Sequence, residues 1–275
     1  MAFYCLCGAA LALALWLGLQ PAWRAWRRRG LAQGPFPAHW RRILRTRVPL
    51  LRRLPPPLQQ QLHRQIQVFV AEKPFLGCAG LRVTEEMRVV IAAQACLLLL
   101  NRTARCFDQV RQILVYPGAF AVDRRRTDAA GVVQQQREVL AGESWAEGQV
   151  VLSWQDVQDG AADPDDGYNV VIHEFAHQLD QENGMARGAP PPQAGDTGHD
   201  AQRWAQVFQS AFDQLQAQAF MGEQGVLSHD AAQDPAEFFA IASEVFFERP
   251  VALAQEYPAL YRELAAYYKV DPAAW

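Results

Sequence analysis

The stretch "VVIHEFAHQLD", residues 170–180, carries two of the chain's six histidines one helical turn apart, with a glutamate beside the first. On a helix His173 and His177 are i and i+4, so both imidazoles leave the same face. Two nitrogens so placed can take adjacent corners of a zinc tetrahedron. Glu174 lies about 100° round the helix, near enough to take a proton from a zinc-activated water without being forced to bind the metal. Val170, Val171, Ile172, Phe175, Ala176 and Leu179 surround the trio, so the helix is expected to be buried. Buried polar groups need partners. The competing reading is a hydrogen-bonded pair of core histidines with a surface glutamate.

A catalytic zinc needs a third protein ligand and one open position. The extended metzincin pattern requires Gly at 180 and His at 183, whereas the chain has Asp180 and Asn183, which excludes that class. Asp196, His199 and Asp200 sit in the Gly-rich "GDTGHD" and read better as a solvated loop, and His229 in "LSHDAAQDP" reads the same way. Glu237 and Glu244 are stronger candidates. They are seven residues apart, hence on one helix face, and Phe238, Phe239, Val245 and Phe246 flank them. A carboxylate on so apolar a helix is costly to bury unless a metal or cation takes it. Spacing alone does not choose between the two.

These residues need a scaffold, and the rest of the sequence outlines one. At 275 residues, half of them hydrophobic, the chain suits one moderate domain or two small ones. Its net charge of -3 hides a segregation: eleven arginines precede Glu72, the first acidic residue. The five cysteines (Cys5, Cys7, Cys78, Cys96, Cys106) form no CxxC pair, which speaks against a disulfide framework. "LQQQLHRQIQVFVAEK" repeats apolar residues at helical spacing, and "EEMRVVIAAQACLLLL" reads as a buried helix entered at Thr84. "VRQILVYPGAFAV" and "GQVVLSWQDV" are strand candidates, bounded by Gly or Pro. "HDAQRWAQVFQSAFDQLQAQAF" and "DPAEFFAIASEVFFERP" are helices, the second opening at Asp234 and Pro235. The fold class is therefore a mostly helical α+β arrangement with a small mixed sheet. "VVLSW" (150–154) is expected to be an edge strand along which an extended peptide pairs.

Residues 2–23 lack charge, would span ~33 Å as a helix, and are followed by "RAWRRRG". That pattern predicts a single-pass anchor over 1–23 with the remainder cytoplasmic by the positive-inside rule. Residues 24–57, Arg- and Pro-rich, are expected to be a juxtamembrane linker attracted to anionic lipid. The catalytic unit then covers 58–275, with a helical part (58–105) and a core (106–275). The arginines abut the anchor and match no nucleic-acid reading motif, so no direct nucleic-acid binding is expected.

Taken together, "HEFAHQLD", the following "NG" turn and "DPAEFFAIASEVFF" resemble the Mlc titration factor A family of zinc metallopeptidases. "ILVYPGAFAV", "GESWAEGQVVLSW" and "DGYNVVIHEFAHQLD" extend the likeness over roughly residues 50–272. The resemblance implies a catalytic fold similar to lethal-factor-type gluzincins, one zinc ion and a peptide or protein substrate. It implies a bacterial protein, so that the predicted anchor would lie in the inner membrane. It makes Glu237 the third ligand beside His173 and His177, and leaves Glu244 and Asp180 as supporting carboxylates. The family often carries a tyrosine seven residues before the ligand glutamate. Here that position is Asp230, which donates no hydrogen bond when ionised, and His229 next to it is the candidate oxyanion stabiliser. The resemblance also raises a different role: binding and sequestering a transcriptional regulator of sugar uptake, with peptide hydrolysis secondary.

Overall fold

The computed structural model describes residues 2–102, 107–127, 133–140, 142–145, 148–184, 186–191 and 198–275. In chain order the helices and strands are α1 (Ala2–Gln33), α2 (Ala38–Arg47), α3 (Pro56–Glu72), β1 (Phe75–Gly77) and α4 (Glu85–Leu97). Then come β2 (Gln112–Tyr116), β3 (Phe120–Thr127), β4 (Val133–Leu140), β5 (Gly142–Trp145) and β6 (Gln149–Ser153). The rest is helical: α5 (Trp154–Ala162), α6 (Val170–Asp180), α7 (Gly198–Met221), α8 (Pro235–Glu248), α9 (Pro250–Glu256) and α10 (Pro258–Tyr268). This is the expected mostly helical α+β arrangement.

The four-stranded sheet has the order β1-β2-β6-β5, with β5 alone antiparallel to its neighbour. β3 and β4 pair separately as a hairpin. The strand over 150–154 is thus not the edge. β6 lies between β2 and β5, and the open edge on that side, among the described residues, belongs to β5. Burial explains the placement: Val150, Leu152 and Ser153 are wholly enclosed, as a strand covered on both sides requires.

Local signals set the helix starts. Thr84 caps α4 by accepting from Met87 N at 3.3 Å. Asn169 caps α6 by accepting from Ile172 N at 3.0 Å. Asp234 caps α8 through Ala236 N and Glu237 N at 2.8 and 3.0 Å, and Pro235 takes the first helical position, where its missing N–H costs nothing. α6 packs against α8, α4 and the sheet. Its Phe175 joins Phe69 and Phe107 with ring centroids 5.6 and 4.7 Å away, so the helix bearing both histidines is fixed by aromatic packing on its opposite side.

Residues 24–57 are not a solvated linker. α1 continues through Gln33, and Arg28 is bonded to Glu72 at 2.7 Å and to Asp108 at 2.5 Å. Beyond it Leu44, Val48, Leu50, Leu51 and Leu54 are buried in the main core. The arginines occupy the outer face of an amphipathic segment whose apolar face supplies that packing. No helix among the described residues is long and apolar enough to cross a membrane. The side chains of residues 2–3, 5–15 and 17, on which the expected anchor rests, lie outside the described set, as do those of Cys5 and Cys7 and all of Cys106.

Candidate metal centre

α6 and α8 lie face to face and bring three donors to one point. His173 Nε2 and His177 Nε2 stand 3.2 Å apart. Glu237 sets Oε2 3.3 Å from the first nitrogen and Oε1 3.3 Å from the second. With one donor atom taken per residue, all lie within 4.8 Å of one another. Donors bound at ~2.0–2.1 Å in a tetrahedron are ~3.3–3.4 Å apart, and two imidazoles with one carboxylate suit zinc, so the residues present fit such an ion. A pair of core histidines with a surface glutamate does not describe this site, because Glu174 is only 5 % exposed and Glu237 bridges both rings.

Glu244 accepts from His173 Nδ1 at 2.7 Å. With its proton on Nδ1, the ring turns the Nε2 lone pair toward the other two donors. Burial alone would lower the His173 pKa, but Glu244 and Glu237 outweigh it and hold the imidazole well above its ordinary value. The two imidazoles hold the Glu237 carboxyl well below the usual range. Ion binding therefore competes with protons at this cluster.

Glu174 lines the same cleft, which has a volume of about 850 Å³. Burial pushes its carboxyl up to about 7 against the opposing pull of His173 and His177, and Oε2 has no hydrogen-bond partner. A buried, unpartnered carboxylate oxygen beside a donor triad is equipped to exchange a proton with a bound water. The edge strand comes unusually close here: a Cβ placed on Gly142 would lie 2.6 Å from Glu174 Oε1. Only glycine permits that approach.

The remaining expected site residues divide. Glu244 supports a histidine directly. Asp180 does not: its carboxylate accepts from the backbone N–H groups of Arg187, Gly188 and Ala189 at 2.6–2.9 Å and so shapes the loop after α6. His229 is turned away, with Nε2 2.8 Å from Glu223 O, and it does not line the cleft although Ser228 and Asp230 do. Asp196 is outside the described residues, as are the side chains of His199 and Asp200 on the first turn of α7. Two residues at or beside the cleft were passed over by sequence reasoning. Tyr168 is the one phenol on the cleft wall among the described residues, and burial pushes its hydroxyl up to about 12, so it stays protonated at neutral pH. Asn169, directly ahead of the apolar run that opens α6, had a readable signal in its N-cap preference.

Residues 23–269 match the sequence profile of the family described as Glucose-regulated metallo-peptidase M90. The chain belongs to that M90 metallopeptidase family. M90 relatives align along nearly their whole length. "Mlc titration factor A" of Serratia proteamaculans (strain 568) is 37% identical over 240 residues, which are 86% of this chain and 88% of that one. The protein of the same name from Yersinia enterocolitica is 35% identical over 244 residues, 88% of this chain and 89% of that one. "Uncharacterized protein slr2042" of Synechocystis sp. is 38% identical over 270 residues, 96% of this chain and 97% of its own. Membership makes the chain a metallopeptidase-family protein, and His173, His177 and Glu237 are a group among the described residues that could hold a metal.

Proposed function

We propose that this M90 protein is a zinc-dependent peptidase in which His173, His177 and Glu237 hold the ion and Glu174 is the general base. The convergence of three donors from two helices at 3.2–3.3 Å carries the reading. When bound, zinc would supply Lewis acidity that polarises a peptide carbonyl and acidifies water. The chain's own groups do the rest. Glu174 removes a proton from the attacking water and returns it to the leaving amine. Glu244 fixes the His173 tautomer, and the cleft beside α8 admits the substrate chain. The test is hydrolysis of a mixed peptide library by the purified full chain. Dialysis against a strong chelator is expected to remove turnover, and stoichiometric zinc to restore it. Turnover that persists after verified metal removal defeats the reading.

A second activity has one specific observation in its favour: the Serratia and Yersinia relatives bear the name Mlc titration factor A. Association with an Mlc-like transcriptional regulator is compatible with an intact peptidase site, and the Glu174→Gln form separates the two. An anchor at the N-terminus is a further part of the proposal, supported by the uncharged run 2–23 and the arginines after it. Alkaline carbonate extraction of membranes containing the full chain tests it, since an anchored chain stays in the pellet and release into the supernatant refutes the anchor.

A further inference from the structure

Behind the donor triad lies a second layer of buried polar groups that the hydrolytic reading does not use. Gln94, Asn169, Glu244 and Glu248 are each exposed by no more than 2 %. Asn169 is the hub. Its Oδ1 caps α6, and its backbone N–H donates to Glu244 Oε2 at 2.5 Å. Its Nδ2 donates to Gln94 Oε1 at 2.8 Å and Glu248 Oε1 at 2.9 Å, with Gly160 O at 3.3 Å. The other Glu244 oxygen receives His173 Nδ1. Every polar group of Asn169 is therefore engaged: its N–H and Nδ2 across elements, its Oδ1 with Ile172 N and its carbonyl with His173 N at 2.9 Å within α6.

We infer that Asn169 and Glu248 are positioning residues for the metal centre, acting through a chain of contacts that runs Glu248–Asn169–Glu244–His173. The inference rests on the metal-centre reading above and extends it beyond the residues that touch the donors. The physical case is geometric. Glu244 has two oxygens, one committed to the ligand imidazole and one to the Asn169 N–H, so its plane is set by where Asn169 sits. Asn169 in turn is fixed at three corners: by the helix it caps on α6, by Gln94 on α4 and by Glu248 at the end of α8. The first turn of α6 and the last turn of α8 are thereby locked to each other beside the ring that must point at the ion. Space allows no slack, because a Cβ on Gly160 would lie 2.8 Å from Tyr168 O and 3.1 Å from Asn169 Cα. Glu248 fits the acceptor role without adding charge, since burial pushes its carboxyl up to about 9 and it is neutral at pH 7.

The test uses the full chain and zinc alone as probe, with affinity read by competition against a chromogenic chelator. Glu248→Gln keeps an acceptor of the same shape and is expected to bind zinc within about twofold of wild type. Glu248→Leu fills the same volume but offers nothing to Asn169, and affinity is expected to fall ~10-fold, the low end of the range for outer partners of metal ligands. Asn169→Ser keeps a capping oxygen, loses the carboxamide and is expected to match Glu248→Leu. Should Glu248→Leu fail to fold, Asn169→Ser decides. Folded Leu and Ser variants that bind zinc like wild type, even with a lowered melting temperature, would assign these residues to stability alone and overturn the inference. A wild-type chain that binds no zinc removes the metal-centre reading itself, and this inference with it.

Discussion

Glu174→Gln is expected to cut peptide turnover ~10²–10⁴-fold while leaving zinc content unchanged. Gln is isosteric but cannot accept a proton at neutral pH, and a positioned general base contributes ~10²–10⁴-fold in rate. The metal donors are separate side chains, so loading should persist. The pH profile gives a second check. Only the ionised form of Glu174 can take the proton, so the wild-type rate must rise with pH through its pKa. Burial pushes that pKa up to about 7 in the metal-free protein. A divalent cation nearby opposes the shift, so the acidic limb of the loaded enzyme should fall below pH 7. Residual turnover in Glu174→Gln should lack that limb. A variant that keeps both wild-type kcat/KM and the limb would remove Glu174 from the chemistry. If turnover falls by that much but association with an Mlc-like regulator survives, the two proposed activities are separable.

Glu237→Ala is expected to weaken zinc binding by more than ~100-fold, beyond the ~10–100-fold typical of a supporting residue. Two imidazoles would remain, and two ligands do not make a closed protein set for zinc. Folding should survive, because the α8 cap is made by Asp234 to backbone N–H groups that alanine retains. Glu244→Gln supplies the contrast: it spares the three donors and disturbs only the contacts of Glu244 with His173 and Asn169, so its loss should stay within the supporting range. Chelator competition at pH 7.5 measures both. Equal losses in the two variants would mean that Glu237 is not a ligand.

Why some of this was legible in the sequence and some was not follows from the range of the interactions. His173 and His177 are related by one helical turn, and the caps at Thr84 and Asp234 act within three residues, so local pattern was enough. Glu237 and Glu244 share a helical face, but separating donor from support required knowing where α6 lies across from them. The edge of the sheet was misplaced because strand order depends on β2, some forty residues earlier, pairing with β6. Residues 24–57 misled for another reason. Their Arg and Pro content masked the spacing of Leu44, Val48 and Leu51, which is helical and core-forming. Asp180 was expected near a histidine, but its partners are amides of the following loop, a turn geometry that side-chain type does not encode. Asn169 reaches Glu244 and Glu248 across more than seventy residues, beyond any local reading.

Because the donors come from α6 and α8, some sixty residues apart in the chain, an unfolded polypeptide has no such cage to offer. Cation capture and folding are thus linked equilibria. At a free-ion level a hundred times its dissociation constant, occupancy would favour the native form by ~2.7 kcal/mol. A cell starved of the ion would then hold this chain nearer its melting point, so that scarcity would cost the protein durability as well as reactivity.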